Sequence, residues 1–336
     1  MEERLHIMRE RDVGLFSLVQ QVVANVPWAL ADGRIPVACF GERCSYWKAG
    51  GHRGRDNVWE YYFEPIVTDF PLSRIPEDLW ARIDPIFPGD LEVGVALEDG
   101  HFVTRHFGDH ADLMGKSMVI PYRWDDPSPE LRRRTAEIIK AYVRPRPYIK
   151  EAAADFRATH LPEPFIGVHV RGTDATSKDE RRAHRQGSLS FPHFKRAIDS
   201  ALRSQPDAAL FVATDSERSL DRLRSWFGDR VRAYDSLRHT AGPAAGRGPA
   251  GSLMPAYVSV SPDAAARNGE EALIEYCLLC CSSLLIHNGS GLARTVLLTR
   301  PDLAHVNTHL SRTFWVFALR NAHRCVLIYR RFRREK

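Results

Sequence analysis

Four apolar stretches in the second half of this 336-residue chain each stop abruptly at polar residues, and helical stretches separate them. That alternation narrows the fold more than any other feature. Strands separated by helices predict a parallel sheet with right-handed crossovers, and in such a sheet every carboxyl end lies on one edge. The clearest stretch runs from Pro164 to Asp174. Ile166, Val168 and Val170 share one face of the strand, and His169 and Arg171 share the other. Gly172 lets the chain turn, and Thr173 and Asp174 follow. Ala208 to Ala213 then ends in Thr214-Asp215, Val231 to Tyr234 in Asp235-Ser236, and Ser283 to His287 in Asn288-Gly289-Ser290-Gly291. The helices between carry apolar stripes: Phe194, Ile198, Ala201 and Leu202; Leu220, Leu223, Trp226 and Phe227; Leu273, Ile274, Cys277, Leu278 and Cys281. Arg171 with Asp174, Thr214 with Asp215, Asp235 with Ser236, and Asn288 with Ser290 therefore converge on the edge where open α/β sheets bind ligands.

The first half opens in the same style. Leu5 to Met8 reads as a strand, Gly14 as a turn, and Leu18, Val22, Val23 and Val26 as one helix face. Pro27 is expected to end or kink that helix. Ile35 to Phe40 is the next strand, which completes a β–turn–α–β unit. Gly14 has two readings, a phosphate-binding turn or a merely tight one. Glu130 to Val143 reads as a helix, and 144–163 as an inter-domain connection. The fold class is α/β, with two Rossmann-like domains whose parallel sheets face a cleft. Residues 1–150 form a first domain, 151–310 a second, and 311–336 a basic, aromatic tail.

Residues 41–64 interleave aromatic and polar groups: Tyr46-Trp47-Lys48, then Trp59, Tyr61, Tyr62 and Phe63. Rings beside carboxylates suit sugar recognition, and they equally suit a helix packed into the core. Residues 66–128 show little periodicity.

A net charge of +5 on a chain with 47 basic and 42 acidic residues suits an anionic small molecule or membrane surface. It is too weak and scattered for a nucleic-acid partner. Three of the six cysteines, Cys277, Cys280 and Cys281, lie in an apolar helical run and read as buried thiols. The amino terminus has no apolar signal core, and the expected location is the cytoplasm. No Walker A motif, no Gly-x-Gly-x-x-Gly after a strand and no histidine-rich metal spacing is present.

The chemistry left for the edge is that of a nucleotide diphosphate. Asn288-Gly289-Ser290-Gly291 opening a helix offers N–H groups and a dipole to an anion. Arg171 adds a permanently charged fork, or else pairs with Asp174 or Asp215. His169 sits beside the phosphates, or else is a hydrogen-bonded core histidine. Asp215 or Asp235 suits a ribose or base. The expected nucleotide contacts are Gly14, His169, Arg171, Gly172, Asp174, Thr214, Asp215, Asp235, Asn288, Gly289 and Ser290.

Three segments also resemble motifs of one superfamily: His169-Val170-Arg171-Gly172-Thr173-Asp174, Val212-Ala213-Thr214-Asp215, and Leu285 to Arg294. It contains the α1,6-fucosyltransferases (nodulation fucosyltransferases among them), the α1,2-fucosyltransferases and the protein O-fucosyltransferases. The Gly14 turn and Asn57 to Pro65 resemble bacterial members, so the resemblance covers most of the chain. It implies a GT-B-like fold, GDP-fucose as donor, inversion at the fucose anomeric carbon, no metal or other cofactor, and a carbohydrate or glycolipid acceptor. By the same resemblance Arg171 would hold the β-phosphate and stabilise the leaving GDP. His169 would sit beside the diphosphate, Asp215 at the guanine–ribose end, and Ser290 near the phosphates.

In α1,6 members a lysine follows the motif aspartate, and a glutamate a few positions on acts as base. Here Ala175 replaces the lysine, and Asp179 falls at the glutamate's spacing with Glu180 beside it. Either carboxylate suits a general base, and 178–185 equally reads as a solvated charged loop. The departure keeps a second reading open, a non-catalytic nucleotide- or glycan-binding protein on the same fold. The tail, Phe314 to Lys336, suits peripheral contact with an anionic inner membrane face, or else is a final helix with a basic end.

Overall fold

A computed structural model of the chain describes residues 3–68, 70, 72–87, 89–106, 126–172, 189–240, 245–247, 253–255 and 261–308. The first half holds β1 (Leu5–Arg9), α1 (Leu15–Ala31), β2 (Ile35–Cys39), α2 (Val58–Tyr62), α3 (Glu77–Ile83), β3 (Val95–Ala96) and β4 (Phe102–Thr104). Its sheet has the order β2-β1-β4-β3, with β1 parallel to both neighbours and β3 antiparallel to β4. The strands β3 and β4 come from the stretch without periodicity, because each is only two or three residues long.

Pro27 does not end its helix, which runs on to Ala31. An interior proline costs about 3 kcal/mol. Val22, Val23, Val26 and Ala29 are all buried around it. Burying each valine returns roughly 1.5–3 kcal/mol, so packing outweighs the lost hydrogen bond.

The stretch expected to be a connection is mostly helix. The helix α4 (Pro129–Tyr142) is followed at once by α5 (Pro147–His160), and each begins with a proline where no amide partner is missed. The second half continues as β5 (Phe165–Val170), α6 (Phe191–Ser204), β6 (Ala209–Thr214), α7 (Glu217–Phe227) and β7 (Val231–Arg232). A small antiparallel pair, β8 (Ala245–Arg247) and β9 (Leu253–Pro255), precedes α8 (Pro262–Cys280), β10 (Leu284–His287), α9 (Gly291–Thr299) and β11 (Ala304–Asn307).

The second sheet is parallel throughout, in the order β11-β10-β5-β6-β7. From β5 the chain steps outward through β6 and β7, then returns to lay β10 and β11 on the other side. The order therefore reverses between β5 and β10, and such a switch point is where open α/β sheets bind their ligands, at the carboxyl ends of the strands.

One face of this sheet packs Ile166, Val168, Val170, Leu210, Val212 and Ile286 against α6 and α7. The other face faces inward. There Phe165, Phe211, Ala213 and Leu285 join α8 and α9, and the same cluster continues through α1, α2, Met8 and Ala38 of the first half. Gly167 lies on this face because a side chain would overlap Leu279 and Ser282, at 2.9 Å from a Cβ. A third cluster covers the far side of the first sheet with α3. Among the described residues no helix is long and apolar enough to cross a membrane.

Candidate functional site

The carboxyl ends of β5, β6 and β10 meet at the switch point, and their polar side chains hold one another. The Asn288 side chain accepts the Arg171 N–H at 2.9 Å and donates to the Arg171 carbonyl at 3.0 Å. It thus spans β10 and β5 and fixes the backbone of Arg171. Asp215 accepts the Gly172 N–H at 2.7 Å, and its other oxygen lies 3.4 Å from Arg171 Nε. Thr214 donates to the Val170 carbonyl at 2.8 Å. Gly172 has no room for a side chain, since a Cβ would stand 2.7 Å from Ser219 Oγ and 2.8 Å from Ser216 Cβ. Arg171 itself keeps 32% of its side chain exposed, beside an 8% exposed Asp215.

Ser290 caps α9 by accepting the Ala293 N–H at 3.1 Å, and its oxygen lies 2.8 Å from His169 Nε2. Burial, with the Arg171 charge nearby, lowers His169 to about 3. The ring is therefore neutral at physiological pH, and Ser290, whose oxygen accepts the Ala293 N–H, is placed to give its hydroxyl hydrogen to Nε2. His169 is thus both a hydrogen-bonded core histidine and a direct support for the start of α9. Gly289 adopts φ +78°, which the turn into α9 requires.

The start of α1 comes to the same place. A Cβ on Gly291 would lie 3.4 Å from Phe16 Cβ, and Gln20 donates to the Gly291 carbonyl at 3.2 Å. The N-termini of α1 and α9, one from each half, are therefore neighbours, and their dipoles favour negative charge between them. Gly14 is exposed with φ −61°, so no unusual backbone explains it, and nothing lies within 4 Å of where its Cβ would be. The Leu15 N–H donates to the Tyr46 hydroxyl at 3.0 Å. Burial pushes that phenol up to about 12, and the Arg171 charge reaches it.

Asp235 stands apart from this group. The strand β7 has only two residues, so the chain leaves the sheet before Asp235, which is exposed. The following residues turn back beside β6, where the His239 N–H donates to the Asp215 carbonyl at 2.9 Å. This return brings in two acids that the sequence reading passed over. Glu275 on α8 accepts from Ser236 Oγ at 2.8 Å and lies 3.8 Å from Arg238. Burial pushes it up to about 8 against those partners, and the Glu271 and Asp215 charges add to the rise. Glu271, one turn earlier, accepts the Leu237 N–H at 2.7 Å and is also raised by burial. A four-residue spacing of glutamates inside an apolar helix was the available signal.

The aromatic segment is buried, not open to a sugar. Tyr46, Trp59, Tyr61, Tyr62 and Phe63 lie within the shared core, and Trp47 is packed against it. Tyr62 donates to the Ala266 carbonyl at 2.9 Å, and Gly269 leaves room for its ring. Arg53 and His52 meet Glu270 of α8 at 2.7–3.0 Å. Thr173, Asp174, Ala175, Asp179, Glu180 and the tail lie outside the described residues.

A two-sheet α/β chain with its polar edge at a switch point has the GT-B-like architecture of nucleotide-sugar transferases. Neither a family model nor a curated protein sequence matches the chain. Solved structures do. The NodZ α1,6-fucosyltransferase soaked with GDP-fucose is similar at 17% identity over 89% of this chain and 93% of that one, with a TM-score of 0.51. The selenomethionine form of fucosyltransferase NodZ from Bradyrhizobium is similar at 16% identity over 93% and 96%, with a TM-score of 0.52. POFUT1 in complex with GDP is similar at 14% identity over 91% and 99%, with a TM-score of 0.51. The chain has the fold of these fucosyltransferases, as the motif resemblance implied.

Proposed function

We propose that the protein is an inverting glycosyltransferase that moves fucose from GDP-fucose to a glycan or glycolipid acceptor. The observation that carries this reading is Arg171, held by Asn288 and Asp215 beside the N-termini of α1 and α9. Breaking the bond from fucose to phosphate builds negative charge on the leaving diphosphate. Fixed positive groups there lower the barrier, because they need no reorganisation as the charge appears. Arg171 supplies the full charge and the two helix ends supply partial ones. His169 acts as a neutral support, since its proton affinity is too low for acid catalysis near neutrality.

In this reading the nucleoside end lies on the Asp215 side, and Glu271 and Glu275 hold the returning segment beside it through Leu237 and Ser236. The base that takes the acceptor's proton is Asp179 or Glu180 in this reading. The basic residues 311–336 bring the enzyme to acceptors at an anionic membrane surface. No metal enters the transfer step.

A thermal-shift panel of GDP, UDP, ADP and CMP, wild type against Arg171→Ala, tests the proposal. A ligand that binds only the folded state raises its midpoint. The expected result is a shift with GDP that the variant loses. Stabilisation by another nucleotide and none by GDP overturns the donor. GDP binding without Arg171-dependent turnover of GDP-fucose, over a panel of acceptors, assigns the non-catalytic reading instead.

A further inference from the structure

A second cluster of side chains lies one strand away, on β10 and β11. In the register of these strands Leu285 pairs with His305 and His287 with Asn307, so both histidines project from the same sheet face. Their ring centroids are 5.8 Å apart at 30°. Asp126, just before α4, joins them. One of its oxygens lies 3.4 Å from His305 Nε2, and the other accepts from Asn307 Nδ2 at 2.8 Å. A ligand atom from each of Asp126, His287 and His305 falls within 4.8 Å of the other two.

The spacing is informative. At 3.4 Å the aspartate and histidine atoms are too far apart for a good hydrogen bond. Two ligands on one tetrahedral zinc, with bonds of about 2.0 Å, stand roughly 3.3 Å apart. Asn307 grips the second carboxylate oxygen, which is how outer partners orient a metal-binding carboxylate. His287 is 2% exposed and forms the floor, while His305 and Asp126 are about a fifth exposed and leave a way in.

We propose that Asp126, His287 and His305 bind a divalent transition-metal ion of the zinc class, with water completing the shell. Two imidazoles and one carboxylate are the donor set that suits such an ion. Its role is structural: it ties the start of α4 to the β10–β11 edge. The ligands come from three separate elements, which is why no spacing in the sequence reveals them. His287 Nδ1 accepts the Gly289 N–H at 3.1 Å. Coordination through Nε2 places the ring proton on Nδ1, so the Gly289 amide turns away when the ion binds. The proposal does not depend on the nucleotide reading.

The test uses the full chain, stripped with chelator and titrated with Zn²⁺ or Co²⁺. The expected result is one zinc retained per chain, a raised thermal midpoint, and a visible Co²⁺ spectrum without a thiolate charge-transfer band. His305→Gln and Asp126→Asn, both at partly exposed positions, should each weaken binding at least tenfold while leaving the metal-free midpoint unchanged. Cys280→Ser should leave binding as in the wild type. The proposal is overturned if no stoichiometric ion binds, if the cobalt spectrum reports thiolate ligands, or if H305Q and D126N bind zinc like the wild type.

Discussion

The edge where β5, β6 and β10 end and the aromatic segment 41–64 are held by different forces. At the edge, Asn288, Asp215, Thr214 and Ser290 bond to neighbouring backbone or to His169. In the aromatic segment, Tyr46, Trp59, Tyr61, Tyr62 and Phe63 are held chiefly by burial, with a few polar ties to α8. Hydrogen bonds are directional, so the edge fixes where Arg171 points. Burial is not directional, so the aromatic segment chiefly fastens the halves together, and Tyr46 adds one directional tie to the Leu15 N–H. Polar residues around a site therefore serve mainly to place the few that meet the ligand.

The sharpest way to break this contrast is Arg171→Ala. Transfer should fall by a factor on the order of 10²–10³, the usual cost of losing one fixed group at a developing negative charge. Its thermal midpoint should stay close to wild type, because the side chain is one-third exposed. Arg171→Lys should not restore activity, since a point charge cannot replace the fork. A midpoint collapse in Arg171→Ala would show that the residue holds the edge instead of being held by it.

Asn288→Ala should cost about 2–3 kcal/mol in denaturant unfolding, because it strands an N–H and a C=O of Arg171 together. It should also lower turnover. Unchanged turnover would mean that the Arg171 backbone needs no such clamp.

Glu275 gives a pH-dependent test. Its folded value, about 8, lies above the ordinary carboxylate value, so the folded state binds the proton more tightly. Stability should therefore fall as pH rises toward 8. Below about 6.5 the buried His169 and His6, lowered to about 3 and about 4, act in the opposite sense. Between about pH 6.5 and 8 the fall should be on the order of 2 kcal/mol, and Glu275→Gln should flatten it. Urea melts at three pH values decide this.

Tyr62→Phe is the smallest test. It removes one hydrogen bond to α8 and leaves the ring in place, so unfolding should cost about 1 kcal/mol with GDP affinity unchanged. A loss of nucleotide binding in this variant would erase the distinction between fastening and aiming.

Much of the second half was legible in the sequence, because β5, β6 and β10 are apolar runs with abrupt polar ends and amphipathic helices between them. The strands β3, β4 and β11 were not, since two to four residues carry no period. At the site, the convergence of Arg171, Asp215, Asn288 and Ser290 followed from strand ends alone. The division of labour did not. Whether Asn288 faces a ligand or the Arg171 backbone depends on how β10 lies beside β5, and residue type is the same either way. Tyr46 and Trp59 left two readings open for a similar reason, because rings that bury and rings that bind sugars share one composition; the structure shows the buried one. Glu275 was hidden in an apolar helix, where an acid four residues after Glu271 reads as a break in the stripe.

The inner apolar cluster passes from α1 and α2 into α8 and α9 without a gap. A division near residue 150 is thus a boundary of winding and not of cooperativity. Neither half closes its own interior, so heating should melt both in a single calorimetric transition. The fragment 151–336 would meet water with the faces that α1 and the aromatic segment now cover. The start of α1 and the switch-point edge are consequently brought together by folding itself. They reach their mutual position before any ligand arrives, and the entropy of bringing them together is absorbed during folding and not on binding.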